Sequence, residues 1–93
     1  MISTHVLDTR HGRPATGVRI ELYRDGELLA SRETDDDGRV RDLADVGPGT
    51  YKLVFHPPSP FFKRIEVEID VGEGNYHVPM LFSPFGCAIY RGS

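Results

Sequence analysis

The chain has 93 residues, of which 39% are hydrophobic and 27% charged, and its formal net charge is -3. Residues 1–93 are therefore read as a single domain with one modest core, and association of several copies is a natural way to bury more surface. Interspersed cations and an acidic balance exclude an electrostatic nucleic-acid binder, and no apolar stretch approaches the length of a membrane span. The first residues, Met1 to Pro14, lack a charged-then-apolar leader pattern, and the single Cys87 has no partner for an internal disulfide. A reducing cytoplasm is the expected location.

Ile2–Asp8 reads as a first strand, with Ile2, Thr4 and Val6 on one face and Ser3, His5 and Leu7 on the other. Thr9–Thr16, with Gly12 and Pro14, is turn material. Gly17–Arg24 alternates, with Val18, Ile20 and Leu22 inward, and Asp25-Gly26 is a short hairpin signal that returns the chain along Glu27–Thr34. The polar turn Asp35-Asp36-Asp37-Gly38 leads to a short extended piece from Arg39 to Leu43, and Gly47-Pro48-Gly49 marks a loop. Thr50–His56 places Tyr51, Leu53 and Phe55 on one face. His56-Pro57-Pro58-Ser59-Pro60 is neither helix nor mid-sheet, because prolines lack amide donors. Lys63–Val71 alternates most cleanly, with Ile65, Val67, Ile69 and Val71 inward. Asn75–Ser83 and Cys87–Arg91 flank the turn Ser83-Pro84-Phe85-Gly86. About eight short strands without a helical period predict an antiparallel β-sandwich or barrel.

The last hairpin carries the most chemical information. Tyr76, Val78, Met80 and Phe82 form a core face, while His77, Pro79, Leu81 and Ser83 form a second face with little charge. An apolar second face predicts a cover, either another subunit or a ligand. Pro79 places the strand near a sheet edge or a bulge. On such a covered surface His77 is suited to acid–base work. Its plainer reading is a histidine at a subunit contact. Likewise, Tyr90-Arg91-Gly92-Ser93 reads plainly as a tail, His5 as a solvated strand residue, and Arg39 as a cation beside three aspartates.

Taken together, these residues resemble the 5-hydroxyisourate hydrolases, the transthyretin-related enzymes of urate breakdown. The resemblance rests on Ser3-Thr4-His5-Val6-Leu7-Asp8, Gly12-Arg13-Pro14-Ala15, Val18–Arg24, Asp37-Gly38-Arg39 and Gly49–Leu53. It is strongest in Tyr76-His77-Val78-Pro79, Ser83-Pro84-Phe85-Gly86 and Tyr90-Arg91-Gly92-Ser93. That last tetrapeptide separates the hydrolases from hormone-carrying transthyretins. The resemblance implies an all-β, prealbumin-like sandwich of two antiparallel sheets of about four strands, and a homotetramer built as a dimer of dimers with active sites between the dimers. It carries over His5, Arg39, His77 and Ser93 as catalytic residues and Tyr90 and Arg91 as substrate-binding ones, with no metal and no cofactor. Three departures stand out: Asn75 replaces a second histidine, Cys87-Ala88-Ile89 replaces a hydroxyl-bearing triplet, and His56–Pro60 shortens a segment that usually holds a short helix, so that helix is expected to be lost or reduced.

The implied reaction is hydrolysis of 5-hydroxyisourate to 2-oxo-4-hydroxy-4-carboxy-5-ureidoimidazoline. A near-neutral histidine, His77 or His5, would take the proton of the attacking water, and Arg39 and Arg91 would offer planar donors to substrate oxygens. Ser93 would orient water or substrate, pinned by Tyr90 and Arg91 at a subunit interface. Two other functions compete. One is a non-catalytic transthyretin-like binding module that uses the apolar face around Leu81. The other is a zinc site built from His5, His11 and His77, which lack any tight metal-ligand spacing.

Overall fold

Alternation of apolar and polar residues dictates most of the structure, a computed structural model that describes residues 1–93. It contains nine strands and no helix: β1 (Ile2–Asp8), β2 (Arg13–Pro14), β3 (Arg19–Arg24), β4 (Glu27–Glu33), β5 (Arg39–Ala44), β6 (Gly49–His56), β7 (Ile65–Val71), β8 (Tyr76–Ser83) and β9 (Gly86–Ile89). Two sheets form. One runs β4-β3-β6-β7; the other runs β2-β1-β8-β9, with β5 also paired to β1. The two-residue β2 lies within the stretch expected to be turn alone. Its residues pair with the end of β1, Leu7 with Pro14 and Asp8 with Arg13.

The turns behave as their residues require. Asp25 and Gly26 both have positive φ, 51° and 79°, which a tight hairpin whose twist matches its strands demands. Residues 57–64 form no helix. Ser59 organises that segment instead: its hydroxyl donates to the Pro84 carbonyl at 2.8 Å and accepts from the amides of Phe61 and Phe62. The shortened loop is thereby tied to the β8–β9 turn.

Inner faces of both sheets meet in one apolar cluster. Ile20, Leu22, Leu53 and Phe55 come from one sheet, and Ile2, Val6, Met80 and Phe82 from the other. Complete burial of each such side chain contributes about 1.5–3 kcal/mol.

The pairing of β8 departs from expectation in two ways. It is not an edge strand, since β1 lies on one side and β9 on the other. Its ladder with β1 is parallel, in continuous register from Ile2 opposite Tyr76 to Asp8 opposite Phe82. Pro79 is accommodated because the ladder to β9 lapses opposite it. Regular pairing ends at Met80–Ile89, the Tyr90 amide reaches the Pro79 carbonyl only at 3.4 Å, and pairing resumes as a single bridge between His77 and Gly92.

Leu53 is fully buried at the middle of β6. Leu53→Ala is expected to lower unfolding stability by about 2–5 kcal/mol in urea melts; a loss under about 1 kcal/mol would show that the core collapses freely around the site.

Candidate active site

The strand order lines up chemically useful residues on the outer face of the β1-containing sheet. Parallel register sets Ser3 opposite His77, and antiparallel register sets His5 opposite Arg39 on β5. The tail beyond β9 brings Gly92 and Ser93 onto the same face. A cleft of about 620 Å³ is lined there by Met1, Ser3, Arg39, Arg41, Asn75, His77, Gly92 and Ser93.

Each group is held by local structure. Arg39 follows a turn fixed by Asp35, whose Oδ1 accepts the amides of Asp37 and Arg39 at 2.9 and 3.0 Å; these amides hold the Asp35 carboxyl below its usual range. Gly38 in that turn has φ 74°, and a Cβ there would stand 2.5 Å from the Val6 carbonyl oxygen. Only glycine lets the turn press against β1 and deliver Arg39 beside His5. Nε2 of His5 lies 2.8 Å from the Asp37 carbonyl oxygen, an acceptor, so this nitrogen carries the proton and donates.

His77 is held on three sides. Its Nδ1 is 2.9 Å from the Ser3 hydroxyl. Its carbonyl accepts the Gly92 amide at 2.7 Å. Its ring lies against Gly92, where a Cβ would stand 2.6 Å from Cδ2. Part of the cover expected over this face is thus the chain's own tail. Burial first, then the charge of Arg39 and of His5, pushes the His77 imidazole below the ordinary histidine value of 6.5. Protonation therefore costs more in the folded than in the unfolded chain. Folded stability is fully present above 6.5 and erodes as pH falls below it.

The two outer faces differ in charge pairing. On the other sheet, His56 meets Glu21 at 2.6 Å and Lys52 meets Glu66 at 3.4 Å. Around His77 no side-chain carboxylate lines the cleft. No ion pair of the protein involves Arg39, and Arg41 pairs only loosely with Asp37 at 3.6 Å. The result is a cleft with free cationic and imidazole groups, suited to an electron-rich or anionic guest.

His5, Arg39, His77 and Ser93 share this face, but Tyr90 and Arg91 do not join them within the chain. They line a neighbouring apolar cleft of about 370 Å³ with Val67, Ile69, Tyr76 and Ile89. The Arg91 guanidinium stacks on the Tyr76 ring at 4.2 Å. For Arg91 the split follows alternation, since it and the adjacent Gly92 face opposite ways. The tail is gripped from both sides of the sheet, by Arg91 on Tyr76 and by Gly92 on His77. His11 sits apart, with Nδ1 2.7 Å from Asp8 Oδ2, so the three histidines weighed as zinc ligands do not converge, and no trio of His, Cys, Asp or Glu is grouped to hold a metal. Sequence reasoning missed Ser3 and Arg41. Ser3 was placed on the face of His5, but its partner emerges only once β1 and β8 are known to run parallel.

The family model described as HIUase/Transthyretin family matches residues 2–92. The chain belongs to that family. A 5-hydroxyisourate hydrolase 2 of Rhizobium meliloti is 39% identical, the match covering 99% of this chain and 95% of the relative. The 5-hydroxyisourate hydrolase of Pseudomonas aeruginosa is 38% identical over 99% of this chain and 90% of its own length. Among solved structures, the 5-hydroxyisourate hydrolase of Klebsiella pneumoniae superposes with a TM-score of 0.91 at 36% identity, covering 99% of this chain and 97% of that one. A sea bream transthyretin in complex with thyroxine superposes at 0.86 and 25% identity, covering 98% and 93%. The all-β sandwich without a helix is therefore a transthyretin-like fold.

The grip on the tail is open to measurement. Arg91→Ala is expected to raise the fast backbone mobility of Gly92 and Ser93 in ¹⁵N relaxation while leaving β8 rigid, and Gly92→Ala to shift the His77 ring resonances. An equally ordered tail in Arg91→Ala would show that stacking on Tyr76 holds nothing.

Proposed function

We propose that the protein hydrolyses 5-hydroxyisourate to 2-oxo-4-hydroxy-4-carboxy-5-ureidoimidazoline, with His77 as the general base. The observation that carries this reading is the juxtaposition of a neutral-leaning imidazole with an unpaired guanidinium, in a cleft free of side-chain carboxylates. Family membership and the hydrolase relatives support the substrate.

The roles follow from what each group has free. His77 lines the cleft with Nε2 free of any partner within the chain, whereas His5 is not among the residues that line it and its Nε2 is committed to the Asp37 carbonyl. That difference favours His77 as base. Water loses a proton to His77 as its oxygen bonds to a ring carbonyl carbon. Arg39 donates to the oxyanion that develops, worth several kcal/mol in a water-poor site. The C–N bond then breaks, the imidazolium returns its proton to the departing ring nitrogen, and the carboxylic acid left behind releases its own proton to solvent. Ser93 orients the water or an edge of the substrate. His5 adds its charge or hydrogen bond beside Arg39. Tyr90 and Arg91 serve the substrate site by holding the tail that carries Ser93. No metal or organic cofactor is needed, because a strained, electron-poor amide yields to base-assisted water.

The proposal extends to a cytoplasmic homotetramer, a dimer of dimers in which the open cationic face of one dimer meets that of another and closes the cleft. No helix of the protein is long and apolar enough to cross a membrane.

The test is the absorbance decay of freshly generated 5-hydroxyisourate. Wild-type protein is expected to accelerate it, unchanged by a chelator, and His77→Ala to lose about 10²–10⁴-fold in kcat. Because the His77 value lies below 6.5, kcat/KM is expected to be flat above that pH and to fall with acidification only below it. Binding of small aromatic compounds without any accelerated decay would favour the carrier reading and sink this one.

A further inference from the structure

We infer that Ser3 is a positioning residue for the reaction: its hydroxyl accepts the Nδ1 proton of His77 and leaves the Nε2 lone pair turned into the cleft. This inference rests on the hydrolase reading and specifies how its base is made ready.

The geometry has three parts. First, Ser3 lies opposite His77 in the parallel ladder, with Oγ 2.9 Å from Nδ1, and the hydroxyl has no other partner within the chain. Second, Gly92 packs on the Cδ2 edge of the ring and leaves no room for a Cβ. The ring is therefore held at Nδ1 and on its Cδ2 edge, while Nε2 bonds nothing in the protein. Third, the adjacent Thr4 points to the opposite face and donates to the Val78 carbonyl at 2.7 Å. Two neighbouring hydroxyls of β1 thus divide the work on β8: Thr4 secures the backbone on the core side and Ser3 sets the imidazole on the cleft side.

A hydroxyl is a different choice from the carboxylate that often orients a catalytic histidine. A carboxylate at Nδ1 stabilises the imidazolium and raises its pKa, commonly by one unit or more. A hydroxyl can hold either protonation state without adding charge. The groups that face His77 are His5 from β1, Arg39 and Arg41 from β5, Ser93 from the tail, and Met1 and Asn75 at the cleft's end, with the Asp37 carboxylate turned to Arg41 and the Met1 ammonium turned to Asp45. Burial and the neighbouring charges keep the His77 value below 6.5, and the neutral Ser3 fixes the ring's orientation without opposing them.

Histidine ¹⁵N NMR on the full chain reads the tautomer directly. Wild type is expected to show His77 protonated at Nδ1. Ser3→Ala is expected to shift the population toward Nε2–H, to lower kcat about tenfold with KM little changed, and to leave the melting curve nearly intact. Ser3→Thr, which keeps a hydroxyl, should recover most of the lost kcat. Ser3→Asp should move the acid limb of kcat/KM upward by about one pH unit. An Nε2–H tautomer in wild type overturns the inference. So does a Ser3→Ala variant with unchanged tautomer and kcat, or a Ser3→Asp variant whose acid limb stays in place. A wild-type protein that fails to turn over 5-hydroxyisourate would refute the hydrolase reading instead, while the tautomer spectra would still test Ser3.

Discussion

The parallel ladder between β1 and β8 is the constraint on which the rest of the site depends. The two strands lie at opposite ends of the sequence, yet their register is continuous over seven pairs. Side chains alternate with a period of two, so slipping this ladder by one residue would turn His77 inward or Ser3 outward of its partner. Apolar residues on the core face forbid that slip. Ile2, Val6, Val78, Met80 and Phe82 are all buried, and moving them to the outer face would forfeit the core. The packing that stabilises the fold therefore also fixes the spacing of Ser3, His5 and His77, with Arg39 added by the antiparallel partner β5.

Once the register is fixed, electrostatics gives the face its character. The outer surface of the β3-containing sheet pairs its charges, as Glu21 does with His56. The outer surface of the β1-containing sheet leaves Arg39 unpaired beside two histidines. Concentrating like charges without compensation costs stability, and such concentrations mark sites that await a complementary partner. Here the cost falls on His77, whose protonation is disfavoured by burial and by its neighbours. The same arrangement that makes the imidazolium unfavourable makes the imidazole a usable base. The tail completes the site, since Gly92 can lie on the ring only because it lacks a side chain.

Much of this was legible in the sequence because it depends on local pattern. Alternation located the strands, Asp25-Gly26 marked a hairpin, and the prolines of residues 56–60 excluded a helix. Resemblance singled out His5, Arg39, His77 and Ser93, which the fold brings to one face. What was not legible depends on pairing between distant segments. Pro79 pointed to an edge or a bulge; β8 is interior, and the irregularity lies in its neighbour β9, which lapses opposite the missing donor. The short β2 has no alternation to reveal it and exists because β1 offers it a partner. Arg91 was grouped with the substrate contacts on the strength of the tetrapeptide, and its stacking on Tyr76 within the chain had no local signal. Ser3 carried no signal beyond its position on the face of His5.

The claim that His77 is the base is tested most directly by titrating its ring by NMR in the free protein and overlaying the pH dependence of kcat/KM for 5-hydroxyisourate. The account predicts that the two midpoints coincide below 6.5 and that both move upward in Arg39→Gln, where a neighbouring positive charge is lost. An acid limb that stays in place while the His77 titration moves would contradict it.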